Sequence, residues 1–282
     1  MGGKTEVLGG ALDEQDHDAE PARRDPVLRA FGLLGTMLDF DGRPFGVRAL
    51  AEASGLPVSS VYRTLGTMTN AGMVRRHTDG TYDIGFEFFR LAARASVLMP
   101  VRRAAQPVLE ELADRCGESA VLALYDLRSH KMMIKTYVSS GQPLQYRIEL
   151  DAWSPIYRGA IGQAILAALS AEELDAAVAR HGTDALTDSP GNDRASLDAE
   201  LARVRERGYA FSIGAGIPGA VAVAAPIWGS AGDLLGDIAI IFPDSRFEPS
   251  REKALAAHVQ AAAAEVTHRL GSPMASPYYK SP

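Results

Sequence analysis

The chain has a single cysteine, Cys116, in 282 residues. One thiol cannot close an internal disulfide or build a cysteine-rich zinc site. No run of about 18 apolar residues occurs, which argues against a transmembrane helix. The opening stretch MGGKTEVLGGALDEQDHDAEPARRD has no apolar core and does not read as a secretory signal. A cytoplasmic location is therefore expected, with no membrane partner. A phosphate loop of the G-x-x-x-x-G-K-[ST] type is missing, and Gly214-Ala215-Gly216 is too short for a dinucleotide fingerprint. Ser154 and Ser212 lack a G-x-S-x-G setting. The six histidines, His17, His77, His130, His181, His258 and His268, have no ligand-type partner at i+3 or i+4 on a convincing helix. No cofactor and no metal are expected, and nothing makes a positive case for an enzyme. Cys116 follows Arg115 near a helix end, a setting that can lower a thiol pKa; the plainer reading is a small buried residue.

Formal net charge is −6, which taken whole argues against a nucleic-acid binder. The distribution reverses that. Residues 1–25 carry three Lys/Arg and seven Asp/Glu, whereas residues 43–76 carry five Arg and one Glu. A basic patch on an acidic chain suits a site-selective DNA binder, because only the contact face must neutralise phosphates.

That patch coincides with the most patterned stretch of the chain, Val47 to Asp83. Leu50, Ala51 and Ala53 give a short helix an apolar side. Gly55 and Pro57 then break it and open another. Val61, Leu65 and Met68 recur at spacings of four and three, the buried face of a second helix over Val58 to Ala71. Gly72 ends it. Met73 to His77 and Thr81 to Ile84 alternate around Asp79-Gly80, a hairpin signal. Helix, turn, helix and basic hairpin make a winged helix-turn-helix. Ser59, Ser60, Tyr62, Arg63 and Thr64 then enter the major groove of double-stranded DNA, while Arg48, Arg75, Arg76 and His77 hold the backbone. The competing reading is a helical hairpin with a solvated charged face.

Around this stretch, residues 1–25 and 272–282 read as disordered tails. Residues 26–85 form the DNA-binding domain, with a helix from Pro26 carrying Val27, Ala30, Phe31, Leu34 and Leu38. Residues 86–103 form a linker helix whose apolar Phe88, Phe89, Leu91, Ala92 and Ala95 suggest pairing with a second copy. Residues 104–271 form an α/β domain. Pro107 restarts a helix that Gly117 ends. Strands follow at Ala120–Tyr125, Met132–Val138, Leu144–Leu150, Tyr209–Ile213, Val221–Ile227 and Leu235–Phe242. Helices fall at Ala160–Leu169, from Ser170 to about Ala179, at Ala195–Arg207 and from Pro249 to near Leu270, with a polar loop over Asp188–Arg194. A mostly antiparallel sheet flanked by helices is expected.

From Pro26 to Leu270 the chain resembles the IclR family of bacterial transcription regulators. The carriers are LAEASGLPVSSVYRTLGTMTNAGMV, PVLEELADRCGESAVLALYD, GAIGQAILA, RVRERGYAF and GAVAVAAPIW, in that order. The resemblance implies an α+β chain: a winged helix-turn-helix joined by a helix to a GAF-like effector-binding domain, usually dimeric or tetrameric, controlling catabolic genes.

It also implies an effector pocket lined by the GAIGQA region and the later strands. Gly159 and Ala160 would offer backbone N–H groups to a ligand carboxylate. Where family members place Asp, Cys and Ser, this chain has Ser212 or Ile213, Ala222, Ala239 and Ile241, a less polar set. A small keto acid such as glyoxylate would lack partners there. Tyr146, Trp153, Tyr157 and Arg158 precede the GAIGQA helix, and aromatic walls with one Arg suit a small aromatic acid or acid derivative. The bland alternative makes Trp153 and Tyr157 packing residues and Arg158 a surface charge. Two other functions stay open: a ligand-free dimerisation module, and an enzyme acting on a small acid.

Overall fold

The computed structural model describes residues 25–40, 42–143, 146, 148–156, 159–186 and 193–272. The expected tails, apart from Asp25 and Ser272, and residues 188–192 of the polar loop lie outside them. The chain divides into two units, Met1–Leu98 and Met99–Pro282.

The first unit opens where the acidic stretch ends. The Asp25 carboxylate accepts the N–H groups of Val27 (2.7 Å) and Leu28 (3.2 Å) and so caps helix α1, Pro26–Leu38. Helix α2, Val47–Ser54, stops at Gly55, which adopts φ +65°, a left-handed conformation cheap only for glycine. Helix α3, Val58–Asn70, buries Val61, Leu65 and Met68 as their spacing dictates. Strands β1, Val74–Arg76, and β2, Tyr82–Ile84, pair antiparallel. One core joins these pieces: Leu33 and Met37 of α1, Leu50 of α2, Leu65 of α3, and Val74 and Tyr82 of the ribbon. Truncating a fully buried leucine such as Leu65 to alanine costs about 2–5 kcal/mol.

Helix α4, Phe86–Leu98, closes this unit, and helix α5, Pro100–Cys116, opens the second. The linker segment 86–103 thus holds the helix read over Phe86–Leu98 and the start of the next, with Met99 extended between them and Pro100 at the start of the second. Pro107, expected to begin a helix, sits inside α5. Its fixed φ is helical, and the loss of one N–H is outweighed by the burial of Val108, Leu109 and Leu112.

Beyond α5 run β3 (Ser119–Asp126), β4 (Lys131–Val138), β5 (Ser154–Pro155), α6 (Ala160–Ala168), α7 (Ala171–His181), α8 (Thr183–Leu186), α9 (Arg194–Arg207), β6 (Ala210–Ile213), β7 (Ala220–Trp228), β8 (Leu234–Pro243) and α10 (Glu252–Arg269). A 3₁₀ turn, Pro249–Arg251, stands where α10 was expected to begin. The strands pair antiparallel in the order β5-β4-β3-β8-β7-β6. One face of the sheet packs on α5 and α10 through Leu109, Val223, Ile240 and Val259. The other packs on α6 and α9 through Val121, Ile165, Leu201 and Ala239.

Among the described residues of the strand expected over Leu144–Leu150, no strand is seen. Tyr146 and Ile148–Leu150 have no ladder, and Leu144, Gln145 and Arg147 lie outside the described residues. Tyr146 and Ile148 pack on the core by their alternation. The chain returns to β4 through Asp151, at φ +62°, which donates its N–H to the Ile134 carbonyl at 3.0 Å. Asp151 also accepts from Lys135 at 2.5 Å.

Candidate functional sites

Helix α3 follows Pro57 with no side-chain cap, so its N-terminal end presents outward N–H groups that favour phosphate oxygens. Ser59, Tyr62 and Arg63 are exposed, Tyr62 at 56%. With Val47 and Arg48 of α2, and with Val58 and Gly66, they line one shallow concavity. Ser60 and Thr64 are half-buried. The Thr64 hydroxyl donates to the Ser60 carbonyl at 3.0 Å, so it is turned onto its own helix. Val58 and Gly66 went unrecognised in sequence because neither carries a polar group.

On the ribbon, Arg75 donates from Nε (3.0 Å) and Nη2 (2.5 Å) to the Asp83 carboxylate. Asp83 also lies 3.0 Å from His77 Nε2. Arg76 is exposed and stands over the Tyr82 ring, 5.8 Å from its centroid. The three ribbon residues expected to hold the DNA backbone are thus together, and Asp83 is an internal anion among them.

The second unit holds a cavity of about 430 Å³. Ser212, Ala222 and Ile241 form one row across β6, β7 and β8, and all three line it. The start of α6 supplies Gly159 and Ala160, and the connection before it supplies Trp153. Gly159 has φ +94° at the N-cap. A Cβ there would lie 3.0 Å from Gly216 N and 3.3 Å from Ser212 Oγ, so only glycine permits this approach. The Ala160 N–H, expected to await a ligand, is already donated to Ser212 Oγ at 2.9 Å. Ser212 keeps a hydroxyl proton of its own to give.

Ala239 sits one row further along the sheet, paired with Ala224, fully buried and not a wall of the cavity. Tyr146 is also not a wall; its hydroxyl stands 3.4 Å from where a Cβ of Gly219 would be. Burial and the Asp244 charge push its phenol pKa up. Tyr157 and Arg158 lie outside the described residues. The walls not anticipated include Met132 and Ile134 of β4, Glu149, Ser154 and the Gly216-Ile217 turn. Among the described lining residues Glu149 alone is charged.

Cys116 and Asp237 are buried outside these sites. Burial pushes the Cys116 thiol up to about 11, so Arg115 does not activate it. Asp237 of β8 is fully buried, and neither carboxyl oxygen has a hydrogen-bond partner among the described residues. Its sheet partners are Ala123 and Pro226. Burial holds its pKa well above the usual carboxylate range.

Two family models match the chain. "IclR helix-turn-helix domain" matches residues 26–78, and "Bacterial transcriptional regulator IclR C-terminal" matches residues 93–268. The Acetate operon repressor of Salmonella typhimurium is 29% identical over 87% of this chain and 89% of its own length. The HTH-type transcriptional regulator KdgR of Escherichia coli is 26% identical, over 91% and 96%. Among solved structures, an IclR transcriptional regulator from Alicyclobacillus acidocaldarius superposes with a TM-score of 0.74 at 23% identity, covering 87% of this chain and 98% of that one. An IclR homolog from Microbacterium hydrocarbonoxydans, complexed with 4-hydroxybenzoate, gives 0.70 at 20% identity, over 87% and 99%.

Proposed function

The chain belongs to the IclR family of DNA-binding transcription regulators, and from that premise we propose that a small aromatic acid or acid derivative, seated in the cavity of the second unit, controls its binding to a catabolic operator. The family relatives are regulators and not enzymes. The observation that carries the ligand class is the row Ser212–Ala222–Ile241, which gives the cavity one hydroxyl against two apolar walls. Trp153, half-exposed at the same cavity, supplies an aromatic surface for a ring. Glu149 disfavours a bare carboxylate beside it, so an amide or ester fits that end, and a free acid requires Arg158 as its partner. The same fold holds 4-hydroxybenzoate in the Microbacterium protein; here the walls themselves support the reading.

The regulator acts as a dimer. Phe86, Phe89, Leu91 and Leu98 of α4 are exposed, Phe86 at 78%. So are Val27, Leu28 and Phe31 of α1. A second copy is the partner that covers these apolar side chains, and it supplies the second DNA reader that a two-half-site operator needs.

A thermal-shift screen of the full chain tests the ligand class. Benzoate, 4-hydroxybenzoate and their amides are compared with glyoxylate and pyruvate. A bound ligand stabilises by about 2.7 kcal/mol at a hundredfold excess over its dissociation constant. A shift with aromatic compounds alone is expected, and Arg158→Ala is expected to remove the shift for the acids while sparing DNA binding. A shift with glyoxylate instead refutes the apolar pocket. No shift with any compound, from protein that still binds DNA, supports the ligand-free module.

A further inference from the structure

The formal charges of the ribbon cancel. Residues 74–84 set Arg75 and Arg76 against Asp79 and Asp83. Asp79 is committed to its turn, where its Oδ1 accepts the Thr81 N–H at 2.9 Å and the Thr81 hydroxyl at 2.6 Å. Asp83 has a different setting. It stands directly across the ribbon from Arg75 and takes two of that guanidinium's nitrogens, at 3.0 and 2.5 Å. The same guanidinium lies over the Phe86 ring, 5.7 Å from its centroid. A planar fork held at two nitrogens and one face is oriented before any DNA arrives. Arg75 is nonetheless half exposed, at 51%, whereas Asp83 is only 16% exposed. Arg75, and then His77, hold the Asp83 carboxyl below the usual carboxylate range, so the anion persists at neutral pH.

A free arginine on a wing would attract any phosphate. This one is already neutralised through Nε and Nη2, and Nη1 of the half-exposed side chain takes no part in that pair. Resting on the reading of the ribbon as a DNA contact, we propose that Asp83 is a specificity-determining residue of the wing. It aims Arg75 at one groove geometry and cancels the charge that would otherwise reward binding to DNA of any sequence. The occupant recognised is duplex DNA whose backbone or minor groove presents acceptors in the plane of that fork.

The test uses the full chain and two duplexes. One carries the sequence that wild-type protein enriches from a random pool, and the other is a scramble of the same composition. Affinities for both are measured across a salt series, with melting curves confirming that each variant folds. Asp83→Asn is expected to tighten binding to the scramble and steepen its log–log salt slope by about one. The preference for the selected duplex is expected to fall roughly tenfold. Arg75→Lys keeps the charge but loses the fork, so the preference should fall while the net charge of the wing is unchanged. Preference and slope unaltered in both variants would overturn the proposal. A preference that survives Arg75→Lys while Asp83→Asn changes the slope would overturn the aiming role and leave a charge effect alone. Failure of wild type to enrich any sequence would count against the DNA reading itself and not against Asp83.

Discussion

Ser212 Oγ lies 2.9 Å from the amide nitrogen of Ala160, across 52 positions of sequence. The contact ties the end of β6 to the first turn of α6 at the wall of the cavity. A serine from another strand does what an N-cap residue does locally, because Gly159 at the cap position has no side chain to offer. A ligand that bonds to Ser212 therefore touches the group that holds the start of α6.

Replacing Ser212 by alanine leaves the Ala160 N–H buried without that acceptor. We expect Ser212→Ala to lower stability by about 1–3 kcal/mol and to weaken the ligand-induced thermal shift. Urea midpoints with and without ligand measure both. An unchanged midpoint would mean that the N–H finds another acceptor.

Gly159→Ala meets two obstacles at once. The residue is at φ +94°, and the new Cβ would crowd Gly216 N at 3.0 Å. A cost of about 1–3 kcal/mol is expected, together with loss of ligand binding because the Gly216-Ile217 turn is displaced from the cavity. Gly66→Ala is the control. Apart from its chain neighbours and its own helix backbone, no atom lies within 4 Å of its added Cβ, so the α3 interior should gain about 0.5–1 kcal/mol.

Asp237 makes stability fall as pH rises. Its folded pKa is raised, so above the ordinary carboxylate pKa of about 3.9 the unfolded chain releases a proton that the folded chain retains. Stability is then lost progressively from about pH 4 upward until the folded pKa is passed. Asp237→Asn has nothing to titrate. The difference between variant and wild type in urea midpoint should widen from pH 5 to pH 8, in favour of the variant. A difference that stays constant with pH would show that Asp237 is not the group responsible.

On α3, Arg63→Ala is expected to weaken operator binding by about 1–3 kcal/mol, the worth of a good base contact. Thr64→Ala should change it little, because its hydroxyl is already bonded to the Ser60 carbonyl. Fluorescence anisotropy on a labelled operator duplex separates the two. Equal losses would mean that Thr64 turns outward when DNA binds.

What the sequence revealed follows how local each signal is. Val61, Leu65 and Met68 mark a buried helix face by spacing alone, and Asp79-Gly80 marks the ribbon turn through its own bonds. The helix expected from Ser170 starts as locally, on a capping box that Ser170 makes with Glu173. Pro107 misled because a proline fits a helix start and a helix interior with the same φ. At Tyr146 and Ile148–Leu150 the alternation misled, because it reports which side chains are buried and not whether a neighbouring strand lies within hydrogen-bonding reach. The cavity was half legible. Ser212, Ala222 and Ile241 share a row, whereas Ala239, two residues from Ile241 on the same face, belongs to the next row and is covered. Asp237 gave no signal, since a single acid in an apolar strand does not announce that its partners are alanine and proline.

Coupling between cavity and operator is measured most directly by the operator dissociation constant with and without an aromatic ligand identified by thermal shift. The ligand dissociation constant is then taken with and without operator. Coupling predicts that both change by the same factor, about fivefold or more. A ligand that binds the cavity and leaves operator affinity unchanged would contradict it.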